Sequence, residues 1–392
     1  MSADDLVRRT AEFVRREVLG IEDTHDGDIA AAGGDDLRVK LQAAARAEGV
    51  FAPHVPVELG GHGLTLSQFS RVFEAAGHAL FGPLALNAAA PDEGNIHLLH
   101  VVASEGQKEQ FLVPLASGEA RSAFAMTEPA GAGSDPSALT TTATKTPAGW
   151  RIDGRKTFIT GADGAAFFIV MARTSGAAGD RGGATMFFVP AGTPGLTVGR
   201  HVPTTDRSMV GGHCDVVFDD VVVPGDAVLG VVDEGFAYAQ VRLGPARMTH
   251  VMRWLGAAGR AHEIAVAYAS ERTMFGKPLA EHGMAQQMIA DNEIDLAATR
   301  ALLDVACAAL DRGETAANET SIAKTFGAEA ICRVTDRSQQ LCGGAGVSAD
   351  LAVARIARDV RPFRIYDGPS EVHRMAIARR AVSAHRKRTR PT

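Results

Sequence analysis

The sequence predicts an α+β multidomain fold with a helical N-terminal domain (residues 1–121), a middle β domain (122–233) and a C-terminal helical bundle (234–392). Three observations support this prediction. The chain has 392 residues, which suits two or three domains of roughly 150 residues each. Its composition is globular, with 46% hydrophobic and 22% charged residues. Its local pattern changes from helical to strand-like and back to helical, so α, β and α segments follow one another.

The first two segments differ in composition. Residues 41–47 and 67–79 are rich in strong helix formers, which predicts an N-terminal domain made mostly of helices. In the next segment, short runs of β-branched and aromatic residues alternate with Gly, Pro and Asp turns. These runs, at 167–172, 186–190 and 216–224, predict the strands of an all-β domain.

The last segment has a helical period. Helix ends are predicted at Gly276 with Pro278 and at the pair Gly343-Gly344, because Gly and Pro commonly follow helix C-termini. Apolar side chains recur every seven residues, as expected for the seam of an antiparallel helix bundle. The residues of this seam are Ile289, Leu296, Leu303 and Leu310.

Charge and composition exclude several classes of protein. The net charge is −6, from 40 Lys and Arg against 46 Asp and Glu, so binding to nucleic acid or an anionic membrane is not expected. Apolar runs are shorter than the roughly 20 residues of a membrane helix, and no leader is readable, which predicts a cytoplasmic protein. The four cysteines form no CxxC pair, so we expect reduced thiols and no metal site.

Two segments of the middle domain have the residue types of a ligand site. Residues 124–135 (FAMTEPAGAGSD) form a Gly-rich turn after a strand start, where backbone amides can approach a ligand and Thr127 and Ser134 supply hydroxyls. Residues 156–160 (KTFIT) place Phe158 and Thr160 on one face of a strand. Taken alone, the first segment is equally consistent with an ordinary turn, and the second is more typical of an ordinary strand.

Two further segments lie in the C-terminal bundle. Residues 271–278 (ERTMFGKP) are consistent with a helix C-terminus whose macrodipole Arg272 complements. In the second segment a Gly cluster at 340–346 (QLCGGAG) ends one helix, and an acidic Gly-Pro turn within 364–374 (RIYDGPSEVHR) opens the next. Structural turns remain the alternative for each.

These four segments, in this order and spacing, resemble the acyl-CoA dehydrogenase family of flavoproteins over essentially the whole chain from about residue 50. Residues 91–95 (PDEGN), 124–129 (FAMTEP), 242–245 (RLGP) and 366–373 (YDGPSEVH) are most similar to a branch that in some relatives is fused to a phosphotransferase-like kinase domain. The resemblance implies the three-domain fold of the family, with a β-barrel-like middle domain, a C-terminal four-helix bundle and a homotetramer or dimer.

The resemblance also implies that FAD lies between the middle and C-terminal domains. Thr127 is then expected at the pyrimidine edge of the flavin, Thr160 at its N5 atom, and Phe158 where most members have tryptophan. Arg272 and Phe275 are expected to reach the pyrophosphate and adenosine portion across a subunit interface, since an Arg fork suits a pyrophosphate. The expected FAD contacts are Met126, Thr127, Phe158, Thr160, Arg272, Phe275, Gln340, Gly343 and Gly344.

Dehydrogenation of a thioester needs a base for the α-proton and an acceptor for the β-hydride. Asp367 stands where most members have a base glutamate, and Ala246 stands at the alternative base position. The resemblance places Ser134 and Arg247 against the acyl-CoA. Aspartate is one methylene shorter than glutamate, which withdraws the carboxylate by about 1.5 Å. Pro369 and Gly283 also depart from the usual family residues, and these departures suggest a modified substrate class.

Three features have no settled role in the sequence. His250 lies one turn beyond Arg247 and is either a satisfied core or surface histidine or part of the pocket. His213 follows two glycines and receives no role. The basic segment 385–390 is either a solvated end or, as in one DNA-binding family member, a contact for nucleic acid.

Three functions are therefore open. The leading hypothesis is an FAD-dependent acyl-CoA dehydrogenase of fatty acid metabolism, which forms a 2,3-enoyl-CoA and passes electrons to an electron-transfer flavoprotein. The second is flavin-dependent elimination of a 4-phospho or 4-hydroxy group from an acyl-CoA without net oxidation. The third is a flavin-binding structural subunit or a nucleic-acid-associated member, although Asp367 argues against a purely structural subunit.

Overall fold

A computed structural model describes residues 2–389 and confirms the predicted order of helices, sheet and helices. Arg390, the last residue of the basic segment, lies outside the described residues. The helices of the N-terminal part are α1 (Ala3–Phe13), a π-helix (Val14–Val18), α2 (Leu19–Thr24), α3 (Gly34–Ala47), a 3₁₀ turn (Val57–Leu59), α4 (Leu66–Gly77), α5 (Gly82–Ala85), α6 (Asp92–Val102), α7 (Glu105–Gln107), a second π-helix (Lys108–Leu112) and α8 (Val113–Ala116).

The middle part is an eight-stranded sheet. Its strands are β1 (Ser122–Ala125), β2 (Thr142–Thr146), β3 (Gly149–Thr160), β4 (Phe167–Arg173), β5 (Ala184–Pro190), β6 (Leu196–His201), β7 (His213–Val223) and β8 (Val228–Leu229), with short 3₁₀ turns at Pro136–Ala138 and Gly225–Ala227. They pair in the order β6-β7-β3-β2-β4-β5-β8, and β1 pairs in parallel with β4.

The sheet curls around a core of its own. Trp150 on β3 and Phe187 on β5 have ring centroids 5.4 Å apart, although two strands separate β3 from β5 in the pairing order. Strand β4 is buried along its whole length, with Phe168 facing this inner core and Phe167 facing the helices. A strand buried on both faces has a continuous apolar sequence, which is the run predicted at 167–172.

The C-terminal part begins with a helix of 37 residues. Its elements are α9 (Gly235–Glu271), β9 (Thr273–Met274), β10 (Lys277–Pro278), a 3₁₀ turn (Leu279–Glu281), α10 (Gly283–Asp311), α11 (Ala317–Cys342), a 3₁₀ segment (Gly343–Val347), α12 (Val353–Val360), a 3₁₀ turn (Arg361–Arg364) and α13 (Ser370–Thr389). The predicted helix end at Gly343 is confirmed. Leu296 and Leu303 of the predicted seam lie in the core, and Ile289 and Leu310 pack against it.

The predicted helix end at Gly276 with Pro278 is wrong. Helix α9 ends at Glu271, and the following residues form a two-stranded hairpin in which Thr273 pairs with Pro278. Phe275 and Gly276 have φ values of +51° and +84°, so they form the tight turn of this hairpin. Gly and Pro are equally common in such turns and at helix ends, which is why the sequence pattern did not separate the two.

Helix α9 is held very close to α4 by glycines. A Cβ on Gly77 would lie 2.0 Å from the carbonyl oxygen of Arg253, and a Cβ on Gly256 would lie 2.0 Å from that of Glu74. Only glycine allows backbones to approach this closely. The contact fixes α9, which carries Arg242 and His250, against the N-terminal helices.

Two general expectations can be compared with the described residues. Within residues 2–389, the helices are too short or too polar to cross a membrane. The four cysteines are free; Cys214, Cys307 and Cys342 are buried and Cys332 is partly buried.

Candidate active site

The candidate base lies on a tightly held turn between α12 and α13. The carbonyl oxygen of Asp367 accepts hydrogen bonds from Nε of Arg247 at 3.0 Å and from Nε2 of His373 at 3.1 Å. The carbonyl oxygen of Gly368 accepts one from Nζ of Lys324 at 2.7 Å. Side chains of α9, α11 and α13 therefore hold two consecutive carbonyls, and the turn is fixed from three directions.

Backbone conformation explains why Gly follows Asp here. Asp367 and Gly368 have φ values of +53° and +91°, in the left-handed region that Gly adopts freely and Asp tolerates. A Cβ on Gly368 would lie 2.7 Å from Nε2 of His373, so a larger residue would push this histidine away. Pro369 then precedes Ser370, the first residue of α13.

The Asp367 carboxylate is almost enclosed. Its side chain is 18% exposed, and Oδ2 is buried without a hydrogen-bond partner. Nε2 of His250 lies 3.2 Å from this oxygen, close enough for polar contact but at an angle unsuited to a hydrogen bond. Burial opposes ionisation of the carboxyl, but contact with His250 and the charges of Arg242 and Arg247 outweigh it and hold the pKa of Asp367 well below its usual range.

His250 belongs to this site. Its side chain is 8% exposed, and its Nδ1 atom accepts a hydrogen bond from Nη2 of Arg253 at 2.9 Å. The ring packs against Tyr366 and Phe363, with centroids 4.9 and 5.8 Å away. Burial, with the charge of Arg253, lowers the pKa of His250, so the imidazole beside the carboxylate is neutral. Among the alternatives for His250, a surface position is wrong: the side chain is buried, and it faces the candidate base.

The segment 91–95 ties this site to the N-terminal helices. Nε of Arg242 donates to Oδ1 of Asn95 at 2.7 Å, and Nη2 donates to the carbonyl of Pro91 at 3.2 Å. Glu93 accepts a hydrogen bond from Thr249 and lies 3.5 Å from Nη1 of Arg253. The motifs at 91–95 and 242–245 therefore form one buried polar contact between α6 and α9.

On the middle domain, Thr127 is joined to strand β3. Its Oγ1 donates to the carbonyl of Thr157 at 2.5 Å, and its own carbonyl accepts from the N–H of Thr157 at 3.0 Å. The neighbouring carbonyl of Met126 accepts from Nζ of Lys156 at 3.1 Å. The Gly-rich segment and the KTFIT segment, predicted separately, are therefore one structural unit.

Phe158 and Thr160 lie on this unit in an arrangement that fits a planar, amphipathic ring such as a flavin. The sheet register shifts between Lys156 and Ile159, and Phe158 has a φ of +55° and is 56% exposed. A bulge exposes an aromatic side chain beside a half-buried hydroxyl. An aromatic face and two threonine hydroxyls match the apolar ring and polar edge of FAD.

His213, which received no role from the sequence, contacts Thr160. The two residues are paired across β3 and β7, with 2.9 Å between Oγ1 of Thr160 and Nδ1 of His213. Nε2 of His213 lies 2.8 Å from Oδ2 of the nearly buried Asp206. A carboxylate, an imidazole and a hydroxyl thus form a chain that ends at Thr160.

The remaining predicted residues lie on the surface. Arg272 and Phe275 are on the exposed hairpin after α9, with Phe275 93% exposed. Gln340, Gly343 and Gly344 are exposed at the end of α11, and Ser134 is exposed on the Gly-rich loop. The structure brings two groups of predicted residues together: Asp367 with Arg247, and Met126 and Thr127 with the strand of Phe158 and Thr160. Within residues 2–389, the six surface residues named above show no contact with either of these two groups.

Sequence reasoning missed the charged residues that surround Asp367. Arg253, Lys324, His373 and Glu93 were not candidates, although the spacing of His250 and Arg253 places them on one helix face. In the described part of the chain, three or more His, Cys, Asp or Glu side chains nowhere converge as they would around a metal ion.

Known protein families match three consecutive parts of the chain. The matching family models are described as acyl-CoA dehydrogenase, N-terminal domain, over residues 2–119; middle domain, over 123–221; and C-terminal domain, over 233–382. Together they span almost the whole sequence.

Individual proteins are similar over the same length. Probable acyl-CoA dehydrogenase FadE2 of Mycobacterium tuberculosis is 38% identical over 391 residues, which cover 97% of this chain and 95% of that protein. Acyl-CoA dehydrogenase family member 11 of Mus musculus is 32% identical; the match covers 98% of this chain and 51% of the relative, so the chain spans about half its length. A solved FAD complex of PigA is 25% identical, covers 97% of each chain and has a TM-score of 0.83.

Proposed function

Because the chain belongs to the acyl-CoA dehydrogenase family, whose members are FAD-dependent oxidoreductases of the CH–CH bond of acyl-CoA thioesters, we propose that it converts a saturated acyl-CoA into the 2,3-enoyl-CoA with Asp367 as the base. The α-carbon loses its proton to the Asp367 carboxylate, and the β-carbon loses a hydride. FAD held by Met126, Thr127, Phe158 and Thr160 would supply the acceptor for this hydride.

The observation that supports this assignment is the enclosed carboxylate. Asp367 presents a buried Oδ2 that lacks a hydrogen-bond partner, on a turn whose carbonyls are held by Arg247, His373 and Lys324. A base on a fixed turn can meet a substrate carbon at about 3 Å without reorganisation. These contacts also matter because aspartate is one methylene shorter than glutamate. The position in which they hold the turn determines how far the carboxylate reaches.

The low pKa of Asp367 has a consequence for substrate binding. In the free chain the carboxylate is ionised at neutral pH, ready to accept a proton but weakly basic. A neutral acyl chain that covers it removes the remaining water, which raises the pKa of the carboxyl by desolvation. Base strength therefore increases when substrate is present.

The other assignments of this proposal concern ligand contacts. Thr127, Phe158 and Thr160, with Met126, receive the isoalloxazine ring, supported by the exposed aromatic and the adjacent hydroxyls. Gln340, Gly343 and Gly344 receive the distal part of FAD. Ser134 and Arg247 contact acyl-CoA; Nε of Arg247 is engaged by Asp367, which leaves its two Nη atoms for the thioester substrate.

We also propose a homo-oligomer, tetramer or dimer, and an electron-transfer flavoprotein as the electron acceptor. Support for the oligomer comes from apolar side chains exposed on the C-terminal part. The largest exposures there are those of Phe275 (93%), Val347 (76%), Met284 (73%) and Ile294 (64%). Burial of such surface stabilises an interface, and Arg272 and Phe275 would then reach the FAD of a neighbouring subunit.

The comparisons do not favour the other hypotheses from the sequence. The relatives from Mycobacterium tuberculosis and Mus musculus are both named as acyl-CoA dehydrogenases, which supports oxidation in general and does not favour elimination or a structural role. The proposed substrate is a CoA thioester whose acyl group has hydrogens on both Cα and Cβ.

The proposal is tested by anaerobic titration of the FAD-loaded protein with saturated acyl-CoAs of increasing chain length. We expect at least one of them to bleach the oxidised flavin band and to yield the 2,3-enoyl-CoA. If every acyl-CoA leaves the flavin oxidised, or if a 4-substituted substrate is turned over with no net flavin reduction, the proposed oxidation is wrong.

A further inference from the structure

We propose that His250 is a positioning residue for Asp367, with its Nε2–H directed at Oδ2 of the carboxylate and Arg253 fixing the tautomer that provides this proton. The inference rests on the proposed function, in which Asp367 is the base. It assigns a role to a residue that faces the reacting carboxylate from helix α9 and is not itself a base.

The tautomer follows from the contact with Arg253. A guanidinium has donors only, so the 2.9 Å contact between Nη2 of Arg253 and Nδ1 of His250 makes Nδ1 the acceptor. In a neutral imidazole the proton is then on Nε2, the atom 3.2 Å from Oδ2 of Asp367. Nε2 therefore has no lone pair with which to accept a proton, and His250 cannot serve as the base in this arrangement.

Packing limits the alternatives for the imidazole. The ring is buried and lies against Tyr366 and Phe363, and the hydroxyl of Tyr366 accepts a hydrogen bond from Trp254. Rotation of the ring would break the contacts with Arg253 and Asp367 together. The present angle to Oδ2 is poor, but a small movement of the carboxylate toward the substrate changes that angle, and catalytic hydrogen bonds commonly tighten when substrate binds.

Charged groups face the carboxylate from each neighbouring helix. They are His250, Arg242 and Arg247 on α9, Lys324 on α11 and His373 on α13, whereas Arg253 on α9 and Glu93 on α6 face His250. Arg242 and Arg247 supply positive charge that keeps the carboxyl ionised. His250 is the group whose ring nitrogen approaches the carboxylate oxygen itself, so its loss changes both the pKa and the direction of the carboxylate.

Two variants separate positioning from the other roles of a histidine. His250→Gln keeps an N–H donor at similar reach, whereas His250→Met fills the space without a donor. The readouts are the pH profile of kcat/KM, the kcat for flavin reduction, and exchange of the substrate α-proton in D₂O. The substrate is the acyl-CoA that reduces the wild-type flavin fastest.

We expect His250→Met to lower kcat by about 100-fold, the effect of a displacement of about 1 Å. The acid limb of its pH profile should move to higher pH, because the carboxyl loses one of the contacts that lower its pKa. His250→Gln should recover most of both changes. The inference would be overturned if both variants lost kcat equally while the acid limb stayed at its wild-type pH. It would also be overturned if His250→Met kept the wild-type kcat.

Two controls keep the outcomes distinct. Asp367→Asn is measured in parallel. Turnover retained in that variant would disprove the assignment of Asp367 as the base, and not only the positioning role of His250. ¹⁵N NMR of the wild-type holoenzyme reports the tautomer without any variant. A His250 signal with the proton on Nδ1 would contradict the inference even if neither variant folds.

Discussion

Lys156 and Glu128 form an ion pair inside the middle domain, with 2.9 Å between Nζ and Oε1 and side-chain exposures of 0% and 1%. Glu128 also accepts hydrogen bonds from the N–H and the hydroxyl of Thr140 and from the N–H of Thr141. Although burial opposes its ionisation, Lys156 and these donors lower the pKa of Glu128 to about 2. The pair thereby closes the Gly-rich loop next to Thr127.

Removing the lysine should destabilise the fold strongly. Lys156→Met leaves the Glu128 carboxylate buried without its cation, a change that typically costs about 3–5 kcal/mol. The double variant Lys156→Met/Glu128→Leu should recover part of this loss. Thermal unfolding is the measurement. The control is Lys145→Met at an exposed position, whose free energy of unfolding should be within about 0.5 kcal/mol of wild type. A single variant as stable as that control would show that the pair contributes nothing.

Asp367→Asn should remove the chemistry and leave binding intact. The amide has the shape of the carboxylate but cannot accept the α-proton, so we expect FAD and acyl-CoA to bind and flavin reduction to slow at least about 100-fold. Stopped-flow measurement of flavin bleaching gives the rate. Asp219→Asn, on the exposed surface of β7, is the matched control and should reduce flavin at the wild-type rate.

Gly368→Ala should impair the turn that carries Asp367. The added Cβ would lie 2.7 Å from Nε2 of His373, which donates to the Asp367 carbonyl, and the φ of +91° is strained for alanine. Gly192→Ala has a similar φ of +77° with open space around the Cβ, so it reports the strain alone, about 1–3 kcal/mol. We expect flavin reduction to fall only in Gly368→Ala. Equal activity in both would mean that the His373 contact does not position the base.

Arg272→Ala should weaken FAD retention and assembly together. Arg272 is exposed in the single chain, and the proposal places it on the FAD of a neighbouring subunit. FAD content after gel filtration and mass by light scattering are the measurements, with the exposed Lys40→Ala as control. Phe275→Ala should behave like Arg272→Ala. A stable monomer with full FAD content would contradict the proposed interface.

Asp359 should make stability decrease as pH rises. Burial raises the pKa of this carboxyl from 3.8 to about 6, against the opposing hydrogen bonds of Ser208 and Arg207 and the charge of Arg358. Because the folded state then binds the proton more tightly than the unfolded state, stability is lost between pH of about 4 and 6, by about 3 kcal/mol. Asp359→Asn should lack this loss. Parallel melting temperatures from pH 4 to 7 compare the two proteins, and identical slopes would refute the assignment.

Local chemistry in the sequence determined the element types, and the family resemblance indicated the candidate base. The seam with Leu296 and Leu303 follows from a period of seven, and the helix end at Gly343 follows from a residue that adopts positive φ. Asp367 was identified through the resemblance of its segment and three others to a known family, a resemblance that extends over most of the chain. The seam and the helix end use residues within one or two turns of each other. The hairpin at Gly276 was missed because two local structures share the same residues.

Tertiary structure alone decided what surrounds that base. Arg247 and Asp367 are 120 residues apart, and Glu93 and Thr249 are 156 apart, yet each pair is in contact. No periodicity extends over such separations, since they depend on how α9 packs against α6 and against the turn that carries Asp367. The neutral tautomer of His250 and the low pKa of Asp367 depend on burial and on charges of helices α6 and α9. Solvent exclusion and convergence of charge exist only in the folded chain, so a sequence motif alone does not determine them.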